Sequence, residues 1–362
     1  MGPELDTNPA RVTGEGTDSY DGEAQTAAPL LRVVLDGPLS ASLGRHLLLG
    51  SYGGGGKLYA TDAGRLADEI VQHAALSWAL RGKMATLRLG GQYYEAFLRE
   101  PSACGGGRRP CPPRRDFRNG RAEATLALLR DMTRGVLTLG YSRLVFKPAP
   151  LYSYHGLRLR LGLRRAWHTG PADAGAEWGI GATYAAALRL FGSPIQVAVA
   201  CPGSSTLDCS AEGDVSRRDV NHRARLDLDY LGAASARLFY SLEMNRSKSY
   251  GETYLRQMIG LQFTVALPAS FFLTAQGVLQ LSRFSDPLFS AVAQQGFVDI
   301  DAENRSRLLI HLAWDVSSHW SLSMRYALYL NESGSNSQGQ TLPGFFRQTL
   351  FFGLRFEYDS DA

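Results

Sequence analysis

The chain has 362 residues, of which 20% are charged and 44% are hydrophobic, and its formal net charge is +4. It is too polar for a bundle of spanning helices, because no stretch offers the about 18 uninterrupted apolar residues that a spanning helix needs. The mild positive charge does not indicate nucleic acid, and we expect no such partner.

In chain order, apolar and polar residues alternate over many segments, and this period of two is typical of β-strands with one apolar face. Short turns are predicted at 37–40, 81–83, 131–134, 232–235, 267–270 and 317–319. Near 191–194 the alternation changes phase, which indicates either a bulge or a turn. The predicted strands cover 4–11, 30–36, 41–58, 67–80, 85–97, 119–129, 136–146, 157–167, 177–190, 222–230, 236–245, 255–267, 271–284, 305–316, 320–330 and 346–358.

The last strand, FRQTLFFGLRFEY, is longer than the roughly five or six residues of an ordinary strand and meets the about 9–11 of a membrane-crossing one. Short turns alternate with long loops, as in barrels with tight periplasmic turns and longer external loops. We therefore predict an all-β fold: one transmembrane antiparallel up-and-down β-barrel over residues 1–362, with about 16 strands (14 or 18 if one hairpin is misjudged). Tryptophans near strand ends, at 78, 167, 178, 314 and 320, suit interfacial girdles. The alternative is a soluble all-β protein.

Four cysteines form two close pairs, Cys104 with Cys111 and Cys201 with Cys209, in segments rich in glycine, proline and serine. This spacing predicts disulfides that staple the loops 99–115 and 201–221 in an oxidising compartment. Free thiols are the alternative. The spacing does not fit a zinc site, so we expect no metal and no cofactor.

Arginine dominates the polar phase of the predicted strands. One interpretation is that these arginines pair with acids across strands and fill the lumen; the other is a net positive lining that selects anions. The candidate lumen and selectivity residues are Arg88, Arg158, Arg160, Arg164, Arg225, Arg237, Arg256, Arg305, Arg307, Arg325, Arg347 and Arg355.

Catalytic motifs are weak, and we expect no enzyme. The run Gly53–Gly56 followed by Lys57 departs from a phosphate-binding loop, since Ser51 and Leu58 stand where that loop needs Gly and Ser or Thr. His73 and Ser77 share a strand face, but nothing nearby supplies the third residue and oxyanion hole of a hydrolase.

Both ends of the chain resemble outer-membrane proteins. Gly353, Phe356 and Tyr358 resemble the C-terminal signal by which the bacterial barrel-assembly machinery recognises its clients, although four residues follow Tyr358. ELDTNPAR, through Asp6-Thr7-Asn8 and Arg11, is similar to the first-strand motif of β-barrel porins of Gram-negative bacteria. Some of these porins are associated with exopolysaccharide export, and others follow periplasmic helical repeats in surface-protein exporters.

The resemblance implies the bacterial outer membrane as the location. Its lipid and lipopolysaccharide, the assembly machinery, and periplasmic or envelope-complex proteins would be the partners. Met1-Gly2-Pro3 leads directly into Glu4 without a signal peptide, so we expect a mature form or a truncated start.

Two functions are compatible with this sequence. The first is a channel with an arginine-rich lumen, passing anionic solutes or serving as the pore of a polysaccharide or secretion system. The second is a closed barrel that anchors an envelope complex for motility or adhesion. The segments 101–115, 201–221 and 284–303 are each long enough to plug a pore of this size.

Overall fold

The computed structural model describes residues 2–6, 28–60, 69–98, 117–146, 153–170, 175–199, 209–249, 252–285, 306–330, 334–335 and 346–356. No helix among these residues is long and apolar enough to cross a membrane. The strands are β1 (Gly2–Asp6), β2 (Ala28–Leu43), β3 (His46–Tyr59), β4 (Glu69–Arg81), β5 (Ala85–Leu98), β6 (Phe117–Arg130), β7 (Thr133–Phe146), β8 (Tyr154–Thr169), β9 (Ala176–Val199), β10 (Cys209–Leu231), β11 (Ala234–Ser247), β12 (Tyr254–Leu267), β13 (Phe271–Phe284), β14 (Ser306–Asp315), β15 (Trp320–Leu330), β16 (Gly334–Ser335) and β17 (Phe346–Phe356).

Sixteen of these strands pair antiparallel with their neighbours in chain order, and the pairing returns to its start. β1 pairs with β2 on one edge and with β17 on the other, through Glu4–Phe351, Leu5–Leu350 and Asp6–Thr349. The two-residue β16 adds to β13 in parallel and stands outside the ring. The predicted all-β, up-and-down architecture of about 16 strands is confirmed for the described residues.

The register sets the width of the ring. Following the paired residues once around the ring from Glu4 leads back to a position displaced by about 20 residues along the direction of β1. With ordinary strand spacings, this stagger tilts the strands by about 40° and gives a backbone cylinder about 30 Å across. Sixteen strands are enough to surround an aqueous channel where nothing else fills the interior.

The outer face of the ring is apolar and exposed. Leu157, Leu226 and Ile259 keep 63%, 58% and 48% of their surface accessible. A soluble sandwich would bury such a face against a second sheet, because contiguous exposed apolar area is rare on soluble proteins. Most strands have 13 to 16 residues, more than the about 9–11 that cross a bilayer. The exposed face therefore faces lipid, and the fold is a transmembrane barrel.

The five tryptophans all lie near the strand ends that are joined by short connections. Trp178 packs against Tyr230 with ring centroids 4.9 Å apart, and Trp320 packs against Phe356 at 4.7 Å. Trp314 stacks on Phe271 at 5.3 Å. Amphipathic rings at one level form the girdle of a membrane interface, here the periplasmic one because the connections are short.

One predicted turn is wrong. Residues 37–40 lie inside β2, and the chain reverses at Gly44, whose φ of 59° suits glycine. Beyond Arg32, β2 pairs only with β3 among the described residues. Proline is tolerated at position 38, because no described strand on the other edge of β2 needs a hydrogen bond from its backbone nitrogen. The turn at Ala269-Ser270 occurs where expected, with both residues at positive φ as in a type I′ turn.

The predicted loop 201–221 is also wrong in part. β9 has 24 residues and β10 has 23, and together they form a hairpin that extends past the ends of β8 and β11. The register of this hairpin shifts between Glu212, Ser216 and Arg218. The change of phase near 191–194 therefore marks an irregularity within a paired hairpin rather than a turn.

Candidate functional site: the barrel lumen

The register separates the wall into a lipid face and a lumen face, because directly paired residues project to the same side of a sheet. Leu226 pairs with Tyr240 on the lipid face, and Glu243 pairs with Arg223 and Arg256 on the lumen face. Arg305 lies outside the described residues. The other candidates occupy lumen-face positions: Arg88, Arg158, Arg160, Arg164, Arg225, Arg237, Arg256, Arg307, Arg325, Arg347 and Arg355.

The half of this wall next to the long connections, here the long-loop half, is buried around the ring. Asp219 and Glu243 are 0% exposed, although both face the lumen. An acidic side chain on the wall of an empty barrel would be accessible, whereas these two are covered, in part by neighbouring side chains such as Arg217 and Arg256. The same burial recurs at the lumen-face positions of Leu30, Ala96, Leu144, Gln280, Ala327 and Thr349. The lumen is therefore occluded at this level.

A charged network holds the β10–β12 part of the long-loop half. The Glu243 carboxylate accepts hydrogen bonds from Arg223 at 2.6 Å, from the Asn221 amide at 2.8 Å and from the Tyr254 hydroxyl at 2.8 Å. Arg256 lies 3.7 Å from the same carboxylate. Because burial removes water, this carboxylate depends on these cations and donors for its stability.

A second buried ion cluster lies farther along the same wall. Arg217 donates to Asp219 at 2.5 Å and to Glu252 at 2.9 Å, and it stacks over the Phe191 ring at 4.2 Å. All three charged side chains are at most 5% exposed. Paired charges of this kind add no net positive potential to the lumen.

On the other side of the ring, the long-loop half is apolar. Ala96, Phe117, Leu144 and Phe146 form a buried cluster, with Val71, Tyr94 and Tyr154 packed against it. These residues come from lumen-face positions of β4 to β8. Apolar residues on the inner wall have no role in an open aqueous pore, and their burial is consistent with the occlusion.

The half next to the short connections, here the short-turn half, is different. Four exposed arginines face the lumen on β5, β7 and β8: Arg88 and Arg134 lie near the short turns, and Arg160 and Arg158 lie farther along β8, beyond its middle. Within the described part of the chain, none of them has a carboxylate within ion-pair distance. Arg88 and Arg160 lie on one register row, separated by Thr125 and Thr138, whose hydroxyls are 3.0 Å apart. We name these four arginines the lumenal basic patch.

On the opposite wall of the short-turn half, three arginines share two aspartates. Arg225 contacts Asp227 at 2.7 Å and lies over the Phe239 ring at 4.0 Å. Asp229 lies 2.6 Å from Arg237 and 3.3 Å from Arg164. The candidate arginines therefore fall into paired and unpaired groups according to the acids within reach, since Arg164 of β8 is paired whereas Arg158 and Arg160 of the same strand are not.

The remaining candidates follow neither pattern. Arg307 donates to the Gln276 side-chain oxygen at 3.3 Å, and Arg325 lies 5.2 Å from the centre of the Phe351 ring. Arg355 is exposed at the short-turn end of β17.

Arg134 was missed by sequence reasoning because it was placed in a turn. The turn is tighter, with Asp131 at a φ of 51°, and β7 already begins at Thr133. Opposite it, Arg164 shares its register position. A two-residue turn at Asp131-Met132 was the available signal, since Asp tolerates positive φ.

The residues weighed for catalysis lie on strands of the wall. Gly53 is part of β3 and pairs with His73, and a side chain at this glycine would collide with the imidazole. The His73 ring lies 3.8 Å from Asp36. Ser77 is buried opposite Leu49 and Gly90, and no hydrogen bond joins it to His73 in the described structure.

The cysteine and insertion-signal positions are only partly described. Cys104, Cys111, Cys201 and Tyr358 lie outside the described residues, and Cys209 begins β10. The disulfides therefore stay a prediction. Phe356 ends β17 on the lipid face with 54% of its surface exposed, and Gly353 pairs with Ser323.

Comparison with known proteins gives structural similarities alone: no protein-family profile and no curated protein matches the chain. A bacterial polysaccharide outer membrane secretin aligns over 99% of this chain and 97% of its own, at 10% identity and a TM-score of 0.41. The ferric citrate transporter FecA aligns over 98% of this chain, at 13% identity and a TM-score of 0.41, and this chain spans 55% of its length. OmpT of Vibrio cholerae aligns over 91% of this chain and 95% of its own, at 10% identity and a TM-score of 0.36.

The fold assignment rests on strand pairing and the exposed apolar face, not on these similarities. Backbone polar groups in lipid must be satisfied internally, which leaves closed barrels as the only spanning sheets. An even number of tilted strands with short connections at one end and long ones at the other is the architecture of bacterial outer-membrane proteins. The chain is an outer-membrane β-barrel.

Proposed function

We propose that this protein is a channel for anionic solutes, entered through the lumenal basic patch and closed at the long-loop half in the present conformation. The observation that carries the proposal is the set of four exposed arginines on β5, β7 and β8 that lack a carboxylate partner in the described structure. Arginine rings select anions in pores, because their fixed charge attracts the permeating ion within a confined space.

The chemistry of the patch extends to acidic polymers. Guanidinium groups bind carboxylates and phosphates through two parallel hydrogen bonds, and neighbouring arginines on one wall would follow the charges of an extended chain. The exopolysaccharide-export role implied by the N-terminal motif would place an acidic polysaccharide here. Export would require the covering part of the chain to leave the long-loop half.

The second candidate is a closed barrel that anchors an envelope complex. The buried network around Glu243 favours it, because a wall built to open would have to expose or re-pair these charges. Either role implies membrane lipid and the barrel-assembly machinery as partners, and the second adds periplasmic or envelope proteins.

The test is the reversal potential of single-channel openings in a planar bilayer under a KCl gradient. Wild-type openings should favour chloride, and the variant Arg88→Ala/Arg158→Ala/Arg160→Ala should move the reversal potential towards zero. Arg165→Ala is the matched control, since it removes the same group from β8 on the lipid face. Openings without anion preference in the wild type would contradict the channel proposal, and an inserted protein that never conducts would favour the anchor.

A further inference from the structure

Basic side chains also gather on the outside of the barrel, at the long-loop end of neighbouring strands. Arg118 on β6, Arg143 on β7, His155 on β8, Arg218 on β10 and Arg246 on β11 all occupy lipid-face positions. Arg143 pairs directly with His155. These five residues, here the outer basic stripe, cover strands β6 to β11 with only β9 contributing none.

The stripe is accessible and poorly neutralised. All five residues are exposed. Arg118 forms an ion pair with Glu95, whose carboxylate also accepts hydrogen bonds from Gln72 at 2.9 Å and Tyr93 at 2.8 Å. Arg143, Arg218 and Arg246 have no carboxylate within ion-pair distance among the described residues. The acids Glu212 and Asp214 lie farther out along the β9–β10 hairpin.

The position of the stripe relative to the apolar face decides its surroundings. Towards the short-turn end, the next lipid-face residues are Tyr141, Leu157 and Val220, which are 45%, 63% and 39% exposed. The stripe therefore begins where the apolar wall ends, on the side of the long connections. This is the level of the lipid headgroups in the external leaflet.

Unpaired arginines at a headgroup level need anionic partners. A charge beside lipid loses much of its hydration, and a phosphate restores it through charge-assisted hydrogen bonds. We propose that the outer basic stripe binds the phosphate groups of a phosphorylated glycolipid in the external leaflet. The bound lipid would cover β6 to β11, with its acyl chains on the leucines below and its phosphates on the arginines. This site is independent of the lumen and of what passes through it.

The experiment is native mass spectrometry of the refolded full chain in detergent, with lipid A carrying two phosphates as the probe and its dephosphorylated form beside it. The wild type should retain the phosphorylated lipid and prefer it over the dephosphorylated one. The variant Arg143→Ala/Arg218→Ala/Arg246→Ala should bind it at least about tenfold more weakly. Heat-modifiable electrophoretic mobility reports whether each variant folds.

Two controls keep the proposal falsifiable. Arg283→Ala removes an exposed lipid-face arginine of β13 outside the stripe and should leave lipid binding unchanged. Replacing the same three stripe residues with lysine keeps the charge and should retain binding within about threefold. The proposal is overturned if the alanine variant binds like the wild type, or if both forms of the lipid bind equally well. Should the alanine variant not fold, the lysine variant and the phosphate dependence decide.

Discussion

The two halves of the lumen wall use the same residue types in opposite ways. In the long-loop half, Arg217, Arg223 and Arg256 are held by buried acids, and a buried apolar cluster lies on the other side of the ring. On β5 and β8, from the short-turn end of β5 to beyond the middle of β8, Arg88, Arg160 and Arg158 stand exposed and unpaired within the described structure. The charged side chains of the β10–β12 wall are buried and paired, whereas the arginines of the lumenal basic patch are exposed.

The comparison shows that a position on the lumen face does not by itself determine the role of an arginine. Its role depends on whether the neighbouring strand supplies an acid and on whether chain atoms cover it. Strands β10 to β12 supply Asp227, Asp229 and Glu243, whereas β5 to β8 supply Glu123 alone on the described lumen face. The arginines of the lumenal basic patch therefore lie on one side of the ring, on β5, β7 and β8.

The largest expected effect follows from neutralising the buried carboxylate of Glu243. Glu243→Gln should destabilise the barrel by about 3–5 kcal/mol, because it leaves the buried Arg256 and the partly buried Arg223 without a counter-charge. Equilibrium unfolding by urea in lipid vesicles measures this change. Glu123→Gln is the matched control in the exposed half, and its effect should stay within about 0.5 kcal/mol. Equal effects of the two substitutions would contradict the division of the wall.

A smaller effect should come from salt. Raising the ionic strength from 0.1 M to 1 M shortens the screening length from about 10 Å to about 3 Å, so exposed arginines act on ions over a shorter range. At the same concentration ratio, the anion preference of the openings should fall by roughly half, with the buried ion pairs much less affected. An anion preference that does not change with salt would show that the exposed arginines are not the groups that select anions.

Much of the fold follows from the period of two. Residues 255–267 and 271–284 were predicted as strands and are found as Tyr254–Leu267 and Phe271–Phe284. Gly37-Pro38 indicated a turn, but proline disrupts a sheet only where its missing N–H would have bonded a neighbouring strand. Whether β2 has such a neighbour on its second edge depends on the pairing around the closed ring, which the sequence does not show. The shift in β9–β10 could be noticed in the sequence but not interpreted, since a bulge and a turn change the phase alike.

The site could be predicted only in part. Alternation places Arg160 and Arg225 on the same type of face, yet it says nothing about which acids lie across the strands. Arg225 has Asp227 two residues away on its own strand, whereas Arg160 has only threonine and alanine opposite it. The burial of lumen-face residues in the long-loop half could not be predicted, because it depends on the folded structure and not on local pattern.

The accessibility of the two halves of the lumen wall tests most directly whether the lumen is occluded at the long-loop half. In a background with the four cysteines replaced by serine, Ser40→Cys reports on the short-turn half and Ser282→Cys on the long-loop half, both from lumen-face positions. Ser40 is exposed and Ser282 is 4% exposed. The assay uses a small, membrane-impermeant thiol reagent and protein in vesicles open to the reagent on both sides. The thiol introduced at position 40 should react at least about 100-fold faster than the one at position 282. Reaction at position 282 is slower because it requires the packed structure to open. Comparable rates at the two positions would show an open lumen and contradict the account.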